Sequence, residues 1–266
     1  MTALPRARKR FGQHFLEPAW VAKLLASLSP APDDVFLEIG PGRGALTIPL
    51  AARVRRVIAV EIDRDLAGFL QQQLPPTVTV VQADFLEVDV NRLLAGENRP
   101  LRVVGNLPYN VSSPILFKLL HAAGHGRVLT DATLMLQKEV ADRLSAAPGT
   151  ADYGSLAIQV ALLADVERVL TLPPGAFRPP PKVTSAVVRL RFRPPQVDVG
   201  SMDVFERVVR GVFLQRRKTL ANALKPVADS FGRSAPELIA AAGLDGTKRP
   251  GELTLDEVAR LSRAVL

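Results

Sequence analysis

The chain has 266 residues, of which 47% are hydrophobic and 23% charged, so it suits one large domain with or without a small appendage. No apolar run reaches the roughly eighteen residues of a membrane span, and no apolar signal core follows the basic N-terminus, so we expect a soluble cytoplasmic protein. The sequence contains no cysteine, which excludes disulfides, thiolate zinc sites and cysteine nucleophiles.

The net charge of +8 is concentrated in two segments. Residues 1–23 hold five basic side chains against one acid, Glu17, and residues 207–225 hold six basic side chains and no acid. Basic clusters suit a polyanionic partner because each phosphate contact releases counterions, although a solvated helix face has a similar composition. Two such clusters in one chain favour a nucleic-acid partner.

Short runs rich in valine and isoleucine alternate with helical patterns, which indicates βα units around a mostly parallel sheet. We predict seven strands, at residues 35–39, 57–61, 78–82, 101–105, 132–136, 166–172 and 185–192. The connection between the last two strands is rich in proline and too short for a crossover helix. These two strands should therefore pair antiparallel at one edge of the sheet.

From about residue 200 the strand pattern gives way to helical periodicity, in 203–214, 238–244 and 255–266. The sequence therefore predicts an α/β domain at 1–193, which begins with the basic segment 1–23, and a small helical C-terminal domain at 194–266. Nothing in it demands more than a monomer.

The strand at 35–39 runs into a glycine-rich loop that contains Gly40, Gly42 and Gly44. Glycines at such a turn let the backbone bend sharply and approach a ligand closely. Glu61 ends the next strand, about where an acid that binds a ribose belongs. This spacing also fits the dinucleotide fingerprint G-x-G-x-x-G/A, so an NAD-dependent enzyme is a competing interpretation.

The acids around this loop help to separate a dinucleotide from S-adenosylmethionine. A dinucleotide brings a pyrophosphate to the helix N-terminus, whereas S-adenosylmethionine has no phosphate and carries an ammonium and a sulfonium. Glu38, just before the glycines, is awkward beside a pyrophosphate and tolerable beside a cation. Asp84, which follows the strand at 78–82, can accept a hydrogen bond from the adenine amine of the donor, or it can cap a helix. Together these residues favour an S-adenosylmethionine site at the carboxyl edge of the sheet.

The segment NLPYNVSSP, residues 106–114, ends the fourth predicted strand at the same edge. The exocyclic amine of adenine is a poor nucleophile because its lone pair is delocalised into the ring. The Asn106 side-chain oxygen and a backbone carbonyl at Leu107 or Pro108 can accept its two N–H groups and aim the lone pair at a methyl donor. Tyr109 offers a ring for base stacking. The segment therefore predicts an adenine methylation site without a general base, although a capped turn with a core tyrosine is an alternative.

Two further sets of side chains are candidate ligand contacts. Phe177 lies in a proline-stiffened loop after the sixth predicted strand, where an aromatic ring can stack on a base or anchor the loop in the core. His121 and His125 have i,i+4 spacing, but Gly124 and Gly126 disfavour a helix there and no acid lies between the histidines. We therefore expect no metal site.

Seven segments resemble motifs of the ribosomal RNA adenine N6-dimethyltransferases, and the resemblance runs from about Phe11 to the C-terminus. They read GQHFL, LEIGPGRGALT, VEIDRDL, QADFL, VVGNLPYNVSSPILFKLL, MLQKEVADRL and FRPPPKVTSAVVRL. The fifth and seventh look more like the branch that modifies small-subunit (16S) rRNA than the macrolide-resistance branch that modifies large-subunit rRNA. RRKTLANAL, at 216–224, looks like the C-terminal domain of the same branch.

The resemblance implies a class I (Rossmann-like) enzyme that places two methyls on each of two adjacent adenines near the 3′ end of small-subunit rRNA within an assembling subunit. It implies that S-adenosylmethionine is held by Gln13, His14, Leu16, Gly40, Gly42, Glu61, Asp84 and Asn106. The target adenine would be held by Asn106, Leu107, Pro108 and Tyr109, and Phe177 would close over its other face. Relatives commonly have asparagine where this chain has His14.

Other functions remain open at this level. The chain could be an RNA-binding assembly factor whose ribosome contacts matter more than chemistry, or a large-subunit enzyme of the macrolide-resistance type. A DNA adenine methyltransferase would need a sequence-reading domain that the short helical tail hardly provides. An NAD dehydrogenase would need an acid or base for hydride transfer near the glycine loop, and none is obvious.

Overall fold

The computed structural model describes residues 13–94, 96–97, 99–126 and 129–266. Most of the basic charge predicted for the N-terminal segment lies on Arg6, Arg8, Lys9 and Arg10, outside the described residues. The strands are β1 (Phe15–Leu16), β2 (Val35–Ile39), β3 (Arg56–Glu61), β4 (Val78–Gln82), β5 (Leu101–Asn106), β6 (Leu129–Gln137), β7 (Ala164–Leu172), β8 (Phe177–Arg178) and β9 (Ser185–Phe192).

Helices connect these strands and make up the C-terminal part of the chain. They are α1 (Pro18–Leu28), α2 (Thr47–Ala51), α3 (Arg64–Gln73), α4 (Val90–Leu93), α5 (Ser112–Gly124), α6 (Lys138–Leu144), α7 (Ser155–Leu163), α8 (Met202–Leu214), α9 (Leu220–Ala223), α10 (Lys225–Ser230), α11 (Ala235–Ala241) and α12 (Leu255–Val265). The three predicted C-terminal helices correspond to α8, α11 and α12. None of the helices in the described ranges is long and apolar enough to cross a membrane.

Seven strands form one sheet in the order β4-β3-β2-β5-β6-β9-β7. Strands β2 to β6 pair parallel, and β9 pairs antiparallel with β6. All seven predicted strands are confirmed, and the last two are hydrogen-bonded neighbours at one edge, as expected. Every residue of β2 is buried, which is typical of a central parallel strand covered on both faces.

The chain divides into two compact units with interleaved segments. The first runs to Ala141 and resumes at Val166–Phe192, and the second comprises Asp142–Asp165 and Arg193–Leu266. The predicted boundary after residue 193 lies close to the second junction, but the membership of 142–165 in the helical unit was not predicted. Contacts between distant residues hold this segment in the second unit: the Tyr153 hydroxyl, for example, donates to the Leu253 carbonyl at 2.7 Å. A local sequence pattern carries no signal for such contacts.

A short antiparallel ribbon connects the start of the described chain to the loop after β7. Phe15 of β1 lies opposite Arg178 of β8, and Leu16 lies opposite Phe177. The Glu17 N–H extends the ribbon by donating to the Ala176 carbonyl at 2.9 Å. The ribbon fixes residues 13–16, which carry several predicted ligand contacts, beside the large sheet.

Gly105→Ala is expected to lower the free energy of unfolding by about 2 kcal/mol, because an added side chain must force packed atoms apart. A Cβ at this position would lie 2.9 Å from the Ile39 carbonyl oxygen and 2.9 Å from the Leu107 side chain. Urea unfolding followed by the fluorescence of Trp20, the only tryptophan, measures the effect in the first unit.

Gly68→Ala is the matched control, because Gly68 lies inside α3 with no atom within 4 Å of an added Cβ. Alanine there should raise the free energy of unfolding by about 0.5–1 kcal/mol through its better helix propensity. Two shifts of the same sign would contradict the assignment of Gly105 as a close-packing position.

Candidate functional site

A cavity of about 360 Å³ lies in the first unit at the carboxyl edge of the large sheet. Its wall comes from the ends of β2, β3 and β5, the turn after β4, and residues 13–16. Eleven of the predicted site residues line it: Gln13, His14, Leu16, Gly40, Gly42, Glu61, Asp84, Asn106, Leu107, Pro108 and Tyr109. The structure thus brings together residues from segments that are far apart in the sequence.

The glycine loop after β2 needs glycine for conformation and for space. Gly40 and Gly42 have φ angles of 71° and 59°, in the left-handed region that favours glycine. A Cβ on Gly42 would lie 3.1 Å from the ring of Phe15, which the Arg43 guanidinium covers at 4.2 Å. The loop and the N-terminal segment therefore close tightly on each other at this wall of the cavity.

Glu61 ends β3 and fastens the glycine loop from the other side. One carboxylate oxygen accepts a hydrogen bond from the Gly42 N–H at 3.0 Å, and the other accepts from the Asp63 N–H at 2.9 Å. Burial raises the pKa of Glu61, and the backbone N–H groups act in the opposite direction. A carboxylate with both oxygens fixed in this way can present its remaining lone pairs to two neighbouring hydroxyls of a ligand.

Glu38 is a buried acid at the cavity wall, with only 3% of its surface exposed. The pKa of Glu38 is raised to about 7. Burial is the main cause. The nearby Thr47 hydroxyl acts in the opposite direction, and the Glu61 carboxylate adds a smaller upward effect. Its Oε2 atom has no hydrogen-bond partner within the described residues. A buried carboxyl oxygen without a partner suits a ligand that brings a donor or a positive charge.

Asp84 lies in the turn after β4, where one carboxylate oxygen accepts from the Leu86 N–H at 2.9 Å. Asp84 therefore caps a backbone segment, as the alternative prediction had it, but the capped segment is a turn and not the start of a helix. Lys118 of α5 holds the same turn, since its ammonium donates to the Leu86 carbonyl at 2.7 Å. Phe85 is buried, with the Lys118 ammonium 5.5 Å from the centre of its ring, and it adds an aromatic ring to the cavity wall.

Asn106 at the end of β5 is held in one orientation by its side-chain amide. The Nδ2 group donates to the His14 carbonyl at 2.7 Å, which leaves Oδ1 as the acceptor. The Pro108 carbonyl accepts from the Val111 N–H at 3.1 Å and closes the following turn. The Leu107 carbonyl accepts no comparable backbone hydrogen bond from the described part of the chain, so it is the better candidate for the second acceptor.

The ring of Tyr109 is fixed at its tip and on its face. Its hydroxyl lies 2.6 Å from the hydroxyl of Ser185, a fully buried residue that begins β9. The His14 ring stacks on it with 5.7 Å between the centroids and 22° between the planes. Burial raises the pKa of Tyr109, and the hydrogen bond with Ser185 partly offsets this effect.

Phe177 is placed differently from the other predicted site residues. Its side chain is fully buried in the hydrophobic core with Leu24, Leu28 and Val187, and it does not line the cavity. The loop-anchor alternative describes this placement, and the stacking of Phe177 on a base stays a prediction that requires a movement of the ring.

Sequence reasoning missed Phe15, Lys118 and Ser185. The last could have been noticed as a polar residue directly before the apolar run at 186–188.

Comparison with known proteins identifies the family. A family model described as ribosomal RNA adenine dimethylase matches residues 5–247. The chain belongs to this family. A ribosomal RNA small subunit methyltransferase A from Nitrosococcus oceani is 47% identical over 262 residues, which cover 97% of this chain and 96% of that protein.

Two solved structures resemble this dimethylase-family chain over nearly its whole length. A dimethyladenosine transferase from Plasmodium falciparum has a TM-score of 0.72 at 25% identity, with 93% of this chain and 96% of that chain covered. The 23S rRNA methyltransferase ErmE has a TM-score of 0.63 at 28% identity, with coverages of 94% and 99%. The sheet order and these neighbours establish the class I methyltransferase fold.

The basic cluster at 207–225 of this family member lies on the second unit. Two of its six side chains make contacts within that unit: Arg207 lies over the Phe231 ring at 4.0 Å, and Arg216 donates to the Thr150 and Ala151 carbonyls. The other four, Arg210, Arg217, Lys218 and Lys225, are exposed. These four are the candidates for contact with a polyanion.

His121 and His125 lie at the end of α5, which runs to Gly124. Gly124 therefore does not prevent a helical arrangement of the two residues, contrary to the sequence argument. Their ring centroids are 3.9 Å apart, both residues are exposed, and the His125 Nδ1 atom lies 2.8 Å from the His121 carbonyl oxygen. The expectation that they hold no metal stays a prediction.

Proposed function

We propose that this chain transfers methyl groups from S-adenosylmethionine to the N6 amines of two adjacent adenines near the 3′ end of small-subunit rRNA, giving N6,N6-dimethyladenosines. The orientation of Asn106 carries the proposal: its Nδ2 is occupied by the His14 carbonyl, so Oδ1 is available to accept from an adenine amine. The family description and the name of the Nitrosococcus relative support the reaction and the substrate.

The cavity wall fits S-adenosylmethionine in four respects. The glycine loop lines the cavity with backbone at Gly40 and Gly42, Glu61 offers a fixed carboxylate for the ribose hydroxyls, and Asp84 can accept from the adenine amine. The unpartnered oxygen of Glu38 suits the positive charge of the donor. When bound, this group supplies an electrophilic methyl on a sulfonium, and we propose that it is held by Gln13, Leu16, Gly40, Gly42, Glu61, Asp84 and Asn106.

The acceptor groups of the chain compensate for the poor nucleophilicity of the adenine amine. Asn106 Oδ1 and the Leu107 carbonyl accept its two N–H groups and turn the nitrogen lone pair away from the ring system. Tyr109 supports the base by stacking. A general base is not required for attack because the N–H proton becomes acidic once the nitrogen carries the new methyl, and it can pass to water.

After the first transfer the amine has one N–H group fewer, so the second transfer uses one fewer hydrogen bond. The two acceptors are therefore most important for the first methyl. The pocket must also accommodate the monomethylated base, either after rebinding or by rotation in place.

Glu61→Gln is expected to weaken the binding of the donor about tenfold, because a carboxylate that accepts charge-assisted hydrogen bonds becomes an amide with a single acceptor oxygen. One of the N–H groups of Gly42 and Asp63 also loses its partner. Calorimetric titration with S-adenosylhomocysteine measures the effect. Glu87→Gln, an exposed acid of the same unit, is the matched control and should bind as the wild type does.

We propose that the second unit contributes RNA contacts through its four exposed basic residues, Arg210, Arg217, Lys218 and Lys225. Each phosphate contact removed should reduce the slope of log affinity against log salt by about 1.

A cytoplasmic monomer that acts on a partly assembled small subunit is the simplest form of this proposal. The small-subunit branch is favoured over the macrolide-resistance branch because the Nitrosococcus relative is 47% identical and ErmE is 28% identical.

The test is transfer of labelled methyl from S-adenosylmethionine to small ribosomal subunits that lack the modification, with the product nucleoside identified by mass spectrometry. Dimethyladenosine at two adjacent positions is the expected result. Subunit binding without methyl incorporation would support the assembly factor instead, and incorporation into large subunits would support the macrolide-resistance branch. Duplex DNA should remain unmodified.

A further inference from the structure

We propose that the side chain of His14 belongs to the acceptor side of the site, where it positions the ring of Tyr109 for the target base. The family resemblance places residue 14 among the residues that hold the methyl donor. The inference rests on the proposed function, because it assigns His14 to recognition of the RNA base and leaves donor binding to its neighbours.

Within the described residues, the contacts of His14 run to segments on the acceptor side of the site. Its ring stacks on Tyr109, its Nδ1 atom lies 2.7 Å from the Pro179 carbonyl oxygen, and its own carbonyl accepts from Asn106. A proline carbonyl can only accept, so Nδ1 carries the hydrogen in this contact. One residue of the N-terminal segment therefore connects the NLPY segment to the proline-rich loop after β8.

The preceding residue has contacts on the donor side. Gln13 Nε2 donates to the Asp63 carboxylate at 3.3 Å, and the Asp63 N–H donates to Glu61, the predicted ribose acid. Residues 13 and 14 lead directly into β1. The contacts of the two side chains place Gln13 toward the donor and the His14 ring toward the acceptor.

Tyr109 needs such support because a ring anchored only at its hydroxyl can still tilt. The contact with Ser185 fixes the tip, since Ser185 lies in the β6–β9 ladder opposite Gln137. The His14 ring restrains one face, and we expect the base to stack on the other. Loss of the His14 ring should therefore impair recognition of the base without weakening donor binding.

Three variants test this assignment: His14→Ala, His14→Phe and Gln13→Ala. The affinity for S-adenosylhomocysteine is measured by calorimetry, and kcat and KM for unmethylated small subunits are measured at saturating donor. For His14→Ala we expect a donor affinity within twofold of the wild type and kcat/KM for the subunit reduced about tenfold, the size expected from loss of an aromatic contact and a hydrogen bond. His14→Phe, which retains a ring, should recover part of this loss.

Gln13→Ala should give the opposite pattern, a donor affinity reduced about fivefold by loss of a hydrogen bond near the ribose acid. His125→Ala, an exposed histidine outside the cavity, is the matched control and should leave both quantities unchanged. If His14→Ala weakens binding of S-adenosylhomocysteine as much as Gln13→Ala does, or if His14→Phe shows no recovery, the assignment is wrong. Failure of the wild-type protein to methylate subunits in the same assay would instead overturn the proposed function.

Discussion

Asn106→Ala is expected to reduce the rate of dimethyladenosine formation roughly a hundredfold or more, the loss typical of removing one group that orients or stabilises the reacting atoms. The variant removes Oδ1, the acceptor that the Nδ2 contact with His14 keeps available, and it leaves the His14 carbonyl without this donor. The measurement is the single-turnover rate on unmethylated small subunits at saturating donor, with monomethyladenosine and dimethyladenosine quantified separately.

Because the first transfer uses both acceptors, the loss should be larger for the first methyl than for the second when monomethylated subunits are supplied. Asn91→Ala, an exposed asparagine of α4 outside the cavity, is the matched control and should retain the wild-type rate. A loss of less than threefold in Asn106→Ala would remove Asn106 from the reaction and leave the backbone carbonyls as the only acceptors.

Relative to the wild type, Glu38→Gln is expected to gain about 2.5 kcal/mol in the free energy of unfolding of the ligand-free protein between pH 5 and pH 8. The pKa of Glu38 rises from 4.5 in a model peptide to about 7 in the fold because its carboxyl is buried. A raised pKa of an acid means that its contribution to stability is fully present below pH 4.5 and is lost as the pH rises toward 7. Glutamine stays neutral throughout and does not incur this loss.

Urea unfolding at the two pH values, followed by the fluorescence of Trp20, tests the prediction because Trp20 and Glu38 lie in the same unit. The comparison is a difference between variants at each pH, so the titration of groups that do not interact with Glu38 cancels. Glu87→Gln, the exposed control, should follow the wild-type pH profile. Parallel profiles for Glu38→Gln and the wild type would show that the buried carboxyl is not ionised by pH 8, or that water reaches it.

The seven strands of the sheet could be predicted because each is a short run rich in branched aliphatic residues and bounded by turn residues. The cavity could be anticipated because parallel strands place their carboxyl ends at one edge, where Gly40, Glu61, Asp84 and Asn106 all lie. These features depend on periodicity and on position along a strand, which are local properties of the sequence. The family motifs added residues 13–16, for which the local pattern gave no strand.

Other features depend on contacts that no local pattern encodes. The burial of Phe177 in the core follows from its pairing opposite Leu16 in the ribbon, and the ribbon itself was not predicted. The unusual pKa of Glu38 follows from coverage of β2 on both faces. The membership of 142–165 in the helical unit likewise follows from contacts such as that of Tyr153 with Leu253.

The ribbon between β1 and β8 also constrains the order in which a nascent chain can complete its binding site. His14 contacts Pro179, which lies 165 residues later, so residues 13–16 cannot dock until about two thirds of the 266 residues have been translated and have left the exit tunnel. The parallel strands β2 to β6 precede that point and can begin to assemble earlier. A segment that is translated early is thus among the last to reach its place, and a chain released before residue 179 would lack the ribbon partner that holds residues 13–16 at the cavity wall.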